Sequence, residues 1–150
     1  MPYRICKQIV VESGHMLSKH PDKCQFPHGH TRRVEFILEA DDLDGNDMVC
    51  DFKVITTAVH DLIQSFDHSM CMNTDDPKYN EFKEAYGERV IGFQKTDPTT
   101  EVIARTMYDA CKARLVLYAQ NKSNAYALSD NVRLVRVRAW ETESSWAEYE

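Results

Sequence analysis

The ten residues 31–40, TRRVEFILEA, alternate clearly: Val34, Phe36 and Leu38 face one way, Arg33, Glu35 and Ile37 the other. That period of two marks a strand with one dry face and one wet face, which belongs in an antiparallel sheet with water on one side rather than in a parallel sheet covered on both. Residues 3–12, rich in Ile and Val, read as a second strand. Near the C-terminus, residues 132–140 set valines against arginines, with Leu134 out of step, and residues 146–149 read as a last strand able to pair with them.

Helical periods lie between these strands. Asp51 is a candidate N-cap, and Phe52, Ile55, Val59, Leu62, Ile63 and Phe66 follow at the spacing of one amphipathic helix of about 15 residues. Asp97-Pro98 resembles a helix entry, with Asp as cap and Pro first; Ile103, Met107, Ala110 and Cys111 then share a face, and the helix is expected to run to around Tyr118. Residues 72–88 read mostly as loop with room for a short helix, and 89–93 as a possible strand. The order β, β, α, β or loop, α, β, β predicts an α+β domain with helices on one face of an antiparallel sheet.

A chain of 150 residues, 43% apolar, suits one domain over residues 1–150 with one core. No run approaches the roughly 20 apolar residues of a membrane span, and MPYRICKQIV lacks the apolar length and cleavage site of a signal peptide. The five cysteines are odd in number and irregularly spaced. Reduced thiols, one of them reactive, fit that pattern better than paired bridges, so a cytoplasmic location is expected. The net charge is −6, and no basic run is longer than Arg32-Arg33, which argues against a nucleic-acid partner.

The densest chemistry is KCQFPHGH, residues 23–30. His28 and His30, one residue apart on an extended chain, project to the same side and can grip one metal without bending the backbone. His15 supplies a third imidazole if the first two strands form a hairpin. Three neutral imidazoles leave one tetrahedral position open, as catalytic zinc requires. Two other readings stand beside this one. Cys24 could close a structural Cys-His-His-His zinc site in a non-enzymatic oligomer, and His-x-His followed by Glu35 resembles a cupin-like metal motif, although Asp42 falls where that motif expects glycine. Further along, Asp67-His68 at a helix end can orient an imidazole for proton transfer. Glu141, after a strand, can bind the N–H edge of a guanidine-like heterocycle, and Glu101 lies near a helix start, where it complements the helix dipole.

In order along the chain, Gly14-His15, Cys24-x-x-x-His28-Gly29-His30, Met48-Val49-x-Asp51-Phe52, Asp67-His68-x-x-x-x-Asn73, Pro98-Thr99-x-Glu101 and Glu141-Thr142 resemble the 6-pyruvoyltetrahydropterin synthase / 6-carboxytetrahydropterin synthase family. The resemblance implies the tunnelling fold: a four-stranded antiparallel sheet with two helices on one face, closing into trimeric barrels that stack as hexamers, with the active site between subunits. It implies Zn2+ held by His15, His28 and His30, Cys24 as catalytic thiolate, Asp67 and His68 as the proton-transfer pair, and Glu141 as anchor of the pterin ring with Glu101 beside that pocket. The implied substrate is 7,8-dihydroneopterin triphosphate. Zinc on its side-chain hydroxyls acidifies the adjacent carbon, Cys24 removes that proton, His68 handles another, and triphosphate leaves. The three-residue gap from Cys24 to His28 resembles the bacterial carboxy-forming branch, which also releases acetaldehyde and feeds queuosine-type deazapurine synthesis; the pyruvoyl branch is the alternative product. Two departures stand out: Gly14 occupies a position commonly alanine, and residues 74–95 are longer than the usual connection.

Overall fold

A computed structural model describes residues 1–150. Its frame is one sheet in the order β4-β3-β1-β2-β5-β6. β1 (Tyr3–Met16), β2 (His28–Ala40), β5 (Arg133–Thr142) and β6 (Ser145–Tyr149) form the antiparallel four-stranded part. β3 (Ser69–Asn73) and β4 (Val90–Phe93) extend it, each running parallel to its neighbour. The expected four-stranded antiparallel sheet is therefore one side of a six-stranded mixed one, with β3 and β4 added beyond β1. β4 falls on the possible strand at 89–93, whereas β3, five residues directly after the helical stripe, is too short to show an alternation of its own.

The dry face forms as the alternation of β2 requires. Val34, Phe36 and Leu38 are fully buried and join Val11 of β1 and Val137 and Ala139 of β5 in the main core. The helical stripe Val54, Ile55, Val59, Leu62 and Phe66 packs on that face. It belongs to two short helices, α1 (Phe52–Ala58) and α2 (His60–Phe66), rather than one: Val59 leaves helical geometry at φ −100°, ψ 5°. The Val59 N–H still reaches the Ile55 carbonyl and the Ile63 N–H the Val59 carbonyl, so the apolar stripe survives the bend. Asp51 caps α1 through the Lys53 N–H, as its position predicts.

α4 (Thr100–Gln120) covers the same face with Ile103, Met107, Cys111 and Leu115. Its N-cap is Thr99, whose hydroxyl accepts from the Val102 N–H, and not Asp97. Asp97 is buried and accepts from the Ser18 hydroxyl, the Lys19 N–H and the Asn73 side chain, tying the β1–β2 connection to the end of β3. Three strong donors outcompete a cap two residues away.

Residues 74–95 hold α3 (Tyr79–Tyr86), a 3-10 turn and β4. Tyr79 and Phe82 of α3 pack on Met16, Met72 and Val90, a small cluster separate from the main core. Cys71, by contrast, joins the main core, so along β3 its neighbour Met72 points to the other side of the sheet. The long connection thus widens the sheet by one strand and places a fourth helix on the opposite face at that edge. Gly92 lets α3 pack close there: a Cβ would lie 2.5 Å from the Tyr79 hydroxyl, so any larger residue would force that ring to move.

Candidate metal centre and adjoining cavities

β1 and β2 pair with His15 opposite His28 and Ser13 opposite His30. Directly opposed residues share a face, and residues two apart along β2 share it too, so the three imidazoles meet on the helix side of the sheet. Their potential ligand atoms all lie within 4.8 Å of one another. The Nε2 atoms of His15 and His30 are 3.2 Å apart. Two nitrogens on one tetrahedral zinc, at bonds of about 2.0–2.1 Å, lie roughly 3.3 Å apart, so the spacing matches shared ligation.

The second ring nitrogens decide the tautomers. His15 Nδ1 is 2.8 Å from the Pro98 carbonyl and His28 Nδ1 is 2.7 Å from that of Phe26. Carbonyls only accept, so each Nδ1 carries the proton and each Nε2 presents its lone pair inward. Arg32 Nη2, 3.3 Å from His15 Nδ1, is then a neighbouring charge and not a donor to that nitrogen. Burial, with Arg32 and the other imidazoles beside it, pushes His15 down to about 4. His30 is lowered by burial and by Arg32. Both rings therefore stay neutral, the form a metal needs.

Glu141, at the end of β5, stands with Oε1 3.7 Å from the Nε2 of both His15 and His30. The Thr100 hydroxyl donates to that oxygen at 2.9 Å and accepts from Arg32 Nη1 at 3.0 Å. Burial alone would raise the Glu141 carboxyl, but the Thr100 hydroxyl, His30 and Arg32 together hold it below the usual range. Glu141 also lines a cavity of about 520 Å³ with Cys24, Thr99, Thr100, Glu101 and Trp146. Cys24 sits in a 3-10 turn, Lys23–Gln25, just before β2, half-buried and outside the metal-capable cluster. The candidate ligands, thiol and both acids from distant parts of the chain thus converge at one end of the sheet.

Asp67 and His68 lie elsewhere. Asp67 accepts from the Glu12 N–H and from His68 Nδ1 at 2.9 Å, which lowers its carboxyl, the backbone donor first. His68 has φ +59°, costly for a non-glycine residue, and donates its own N–H to the Glu12 carbonyl. Its ring is exposed and lines a polar hollow of about 290 Å³ with Glu12, Thr31 and His30. That hollow and the Cys24 cavity share no lining residue within one chain. A further cavity of about 790 Å³, between α4 and residues 128–134, is lined by no histidine or cysteine.

Sequence reasoning overlooked Arg32, which is fully buried, and Thr100. The signal for Arg32 was present: the row that buries Val34, Phe36 and Leu38 runs back through residue 32 to His30 and His28. Thr100 gave none, because its role depends on where β5 ends.

Residues 4–150 match the family model described as 6-pyruvoyl tetrahydropterin synthase. A 6-carboxy-5,6,7,8-tetrahydropterin synthase of Aquifex aeolicus is 33% identical over 167 residues, covering 99% of this chain and 98% of its own. One of Bacillus subtilis is 26% identical over 75% of this chain and 68% of its own. Among solved structures, an uncharacterised protein from Wolinella succinogenes superposes with TM-score 0.78 at 19% identity, over 99% of this chain and 98% of that one. The 6-pyruvoyl tetrahydropterin synthase of Plasmodium vivax superposes with TM-score 0.72 at 14% identity, over 99% and 97%. With its fold shared by those structures and a family model matched from residue 4 to its last residue, the chain belongs to the 6-pyruvoyl tetrahydropterin synthase family.

Proposed function

We propose that this protein is a zinc-dependent 6-carboxy-5,6,7,8-tetrahydropterin synthase acting on 7,8-dihydroneopterin triphosphate. The observation that carries the reading is the convergence of three inward Nε2 atoms beside a cavity shared by Cys24 and Glu141. The choice of product follows the relatives named for the carboxy product, one of them 33% identical over nearly the whole chain.

His15, His28 and His30 fit Zn2+: three imidazole nitrogen donors, two of them oriented by backbone carbonyls, with a fourth position left for substrate. When bound, the metal supplies Lewis acidity toward the side-chain oxygens of the substrate. The protein does the rest. The ionised Glu141 carboxylate accepts the N–H edge of the pterin ring at the cavity wall, with Glu101 alongside. Cys24, opening on the same cavity, takes the proton from the activated side-chain carbon. His68, oriented by Asp67, exchanges a second proton as the C–O bond to triphosphate breaks. One water then adds to the side-chain carbonyl carbon next to the ring and the bond to the outer two carbons breaks, leaving the carboxyl on the ring and releasing those carbons as acetaldehyde. Since His68 and Cys24 open on separate hollows, the complete site pairs the Cys24 cavity of one subunit with the Asp67–His68 hollow of another in a homo-oligomer, a hexamer of two trimers. Cys24 lies outside the histidine cluster, which favours catalysis over a structural four-ligand site.

Incubation of the zinc-loaded protein with 7,8-dihydroneopterin triphosphate, with products identified by mass, tests the proposal. 6-Carboxytetrahydropterin with acetaldehyde is expected. Accumulation of the 6-pyruvoyl product alone would assign the protein to the other branch, and unchanged substrate would overturn the enzymatic reading.

A further inference from the structure

Arg32 is the largest side chain the protein buries completely, at 1% exposure, so it touches no ligand. Burying a guanidinium is expensive, and its Nε has no partner at all. Its one hydrogen bond to a side-chain oxygen is from Nη1 to the Thr100 hydroxyl. That hydroxyl has a single proton, which goes to Glu141 Oε1, so the bonds run one way, from Arg32 through Thr100 to the carboxylate.

Glu141 needs such restraint. With Oε1 3.7 Å from the Nε2 of both His15 and His30, a small rotation would bring it within bonding reach of any metal those nitrogens hold. A fourth protein ligand would close the open position and remove the carboxylate from the cavity. We infer that Arg32 is a positioning residue: through Thr100 its buried charge holds Glu141 at the wall of the Cys24 cavity, as anchor for the heterocycle, and off the metal. This rests on the proposed role of Glu141.

The test uses zinc-loaded protein and bare pterin (2-amino-4-oxopteridine) as probe. Pterin affinity is read from fluorescence quenching, and zinc affinity from competition with a chromophoric chelator. Arg32→Met is expected to bind pterin about tenfold more weakly, the scale of a lost charge-assisted hydrogen bond, while holding zinc as tightly as the wild type or more so. Thr100→Val should weaken pterin similarly, and the double variant should be no worse than the poorer single, because all act through one chain of bonds. Unchanged pterin affinity, additive losses, or zinc loosened in step with pterin would overturn the inference, the last marking a merely structural role. Should Arg32→Met fail to fold, Thr100→Val decides by the same two affinities. Glu141→Gln separates the levels: if it binds pterin like the wild type, the anchor role itself fails, whereas loss there with full binding in the other variants sinks only the relay.

Discussion

Cys24 and His15 carry the sharpest consequences at the scale of single residues. If the Cys24 thiolate is the base, Cys24→Ala keeps its zinc and its melting temperature, because the three imidazoles are untouched, while turnover falls by about 100-fold or more. Zinc content, thermal melting and product formation on one preparation check this; zinc loss with unfolding would restore the structural reading. His28→Ala, lacking one of three ligands, should hold little of the roughly one zinc per chain expected of the wild type, by metal analysis. His15 makes a prediction about the metal-stripped protein. Its folded value is pushed down to about 4 from an ordinary 6.5, so between those values the unfolded chain binds more protons than the folded one. Stability is full above about pH 6.5, declines as pH falls through that window and levels off below about 4, a loss on the order of 3 kcal/mol. Denaturant titrations at pH 7, 5.5 and 4 would show it, and a flat profile would contradict it.

At the scale of elements, the link between β1, β3 and α4 runs through Asp97. Its carboxylate holds Ser18, Lys19 and Asn73, and the next residue offers the carbonyl that orients His15. Asp97→Ala leaves the buried Asn73 amide and the partly buried Ser18 hydroxyl without their acceptor and frees that carbonyl to shift. A loss of about 3 kcal/mol is expected in denaturant unfolding, together with weaker zinc binding in chelator competition. A variant as stable as the wild type would show the Asp97 network to be incidental. The same elements show how a local signal is overruled: Asp97-Pro98 satisfies every rule for a helix entry, yet the cap falls on Thr99 because Asp97 has tertiary partners.

For the whole molecule, the sheet keeps open edges at β4 and β6, and its exposed residues include Val10, Phe26 and Trp146. Unpaired edges and apolar surface favour association. Light scattering is expected to report a hexamer, and a stable, active monomer at micromolar concentration would refute the shared-site model. A mixing experiment asks more. Cys24→Ala and His68→Ala subunits, each nearly inactive alone, should recover activity when mixed and reassembled, up to about a quarter of the wild-type level if each site draws one group from each of two subunits. No recovery would mean that both groups act within one chain.

Much of the candidate site was legible in the sequence because it depends on spacing. Alternation determined that His28 and His30 share a face, and that β2 has a dry side made of Val34, Phe36 and Leu38. Hairpin pairing then sufficed to bring His15 to them. Helical period likewise announced the stripes of α1, α2 and α4. The sequence offered a possible strand at 89–93, but tertiary structure alone decided β3 and the parallel pairing of both strands, since five residues carry too few side chains to display a period and pairing direction is not a local property. It also decided that Asp67–His68 opens on a different hollow from Cys24, and that Arg32 reaches Glu141 through Thr100. Those contacts join residues 41 to 68 positions apart. Local propensity cannot encode a hydrogen bond across such a distance; it follows only when packing of the core brings β2, α4 and β5 to one corner.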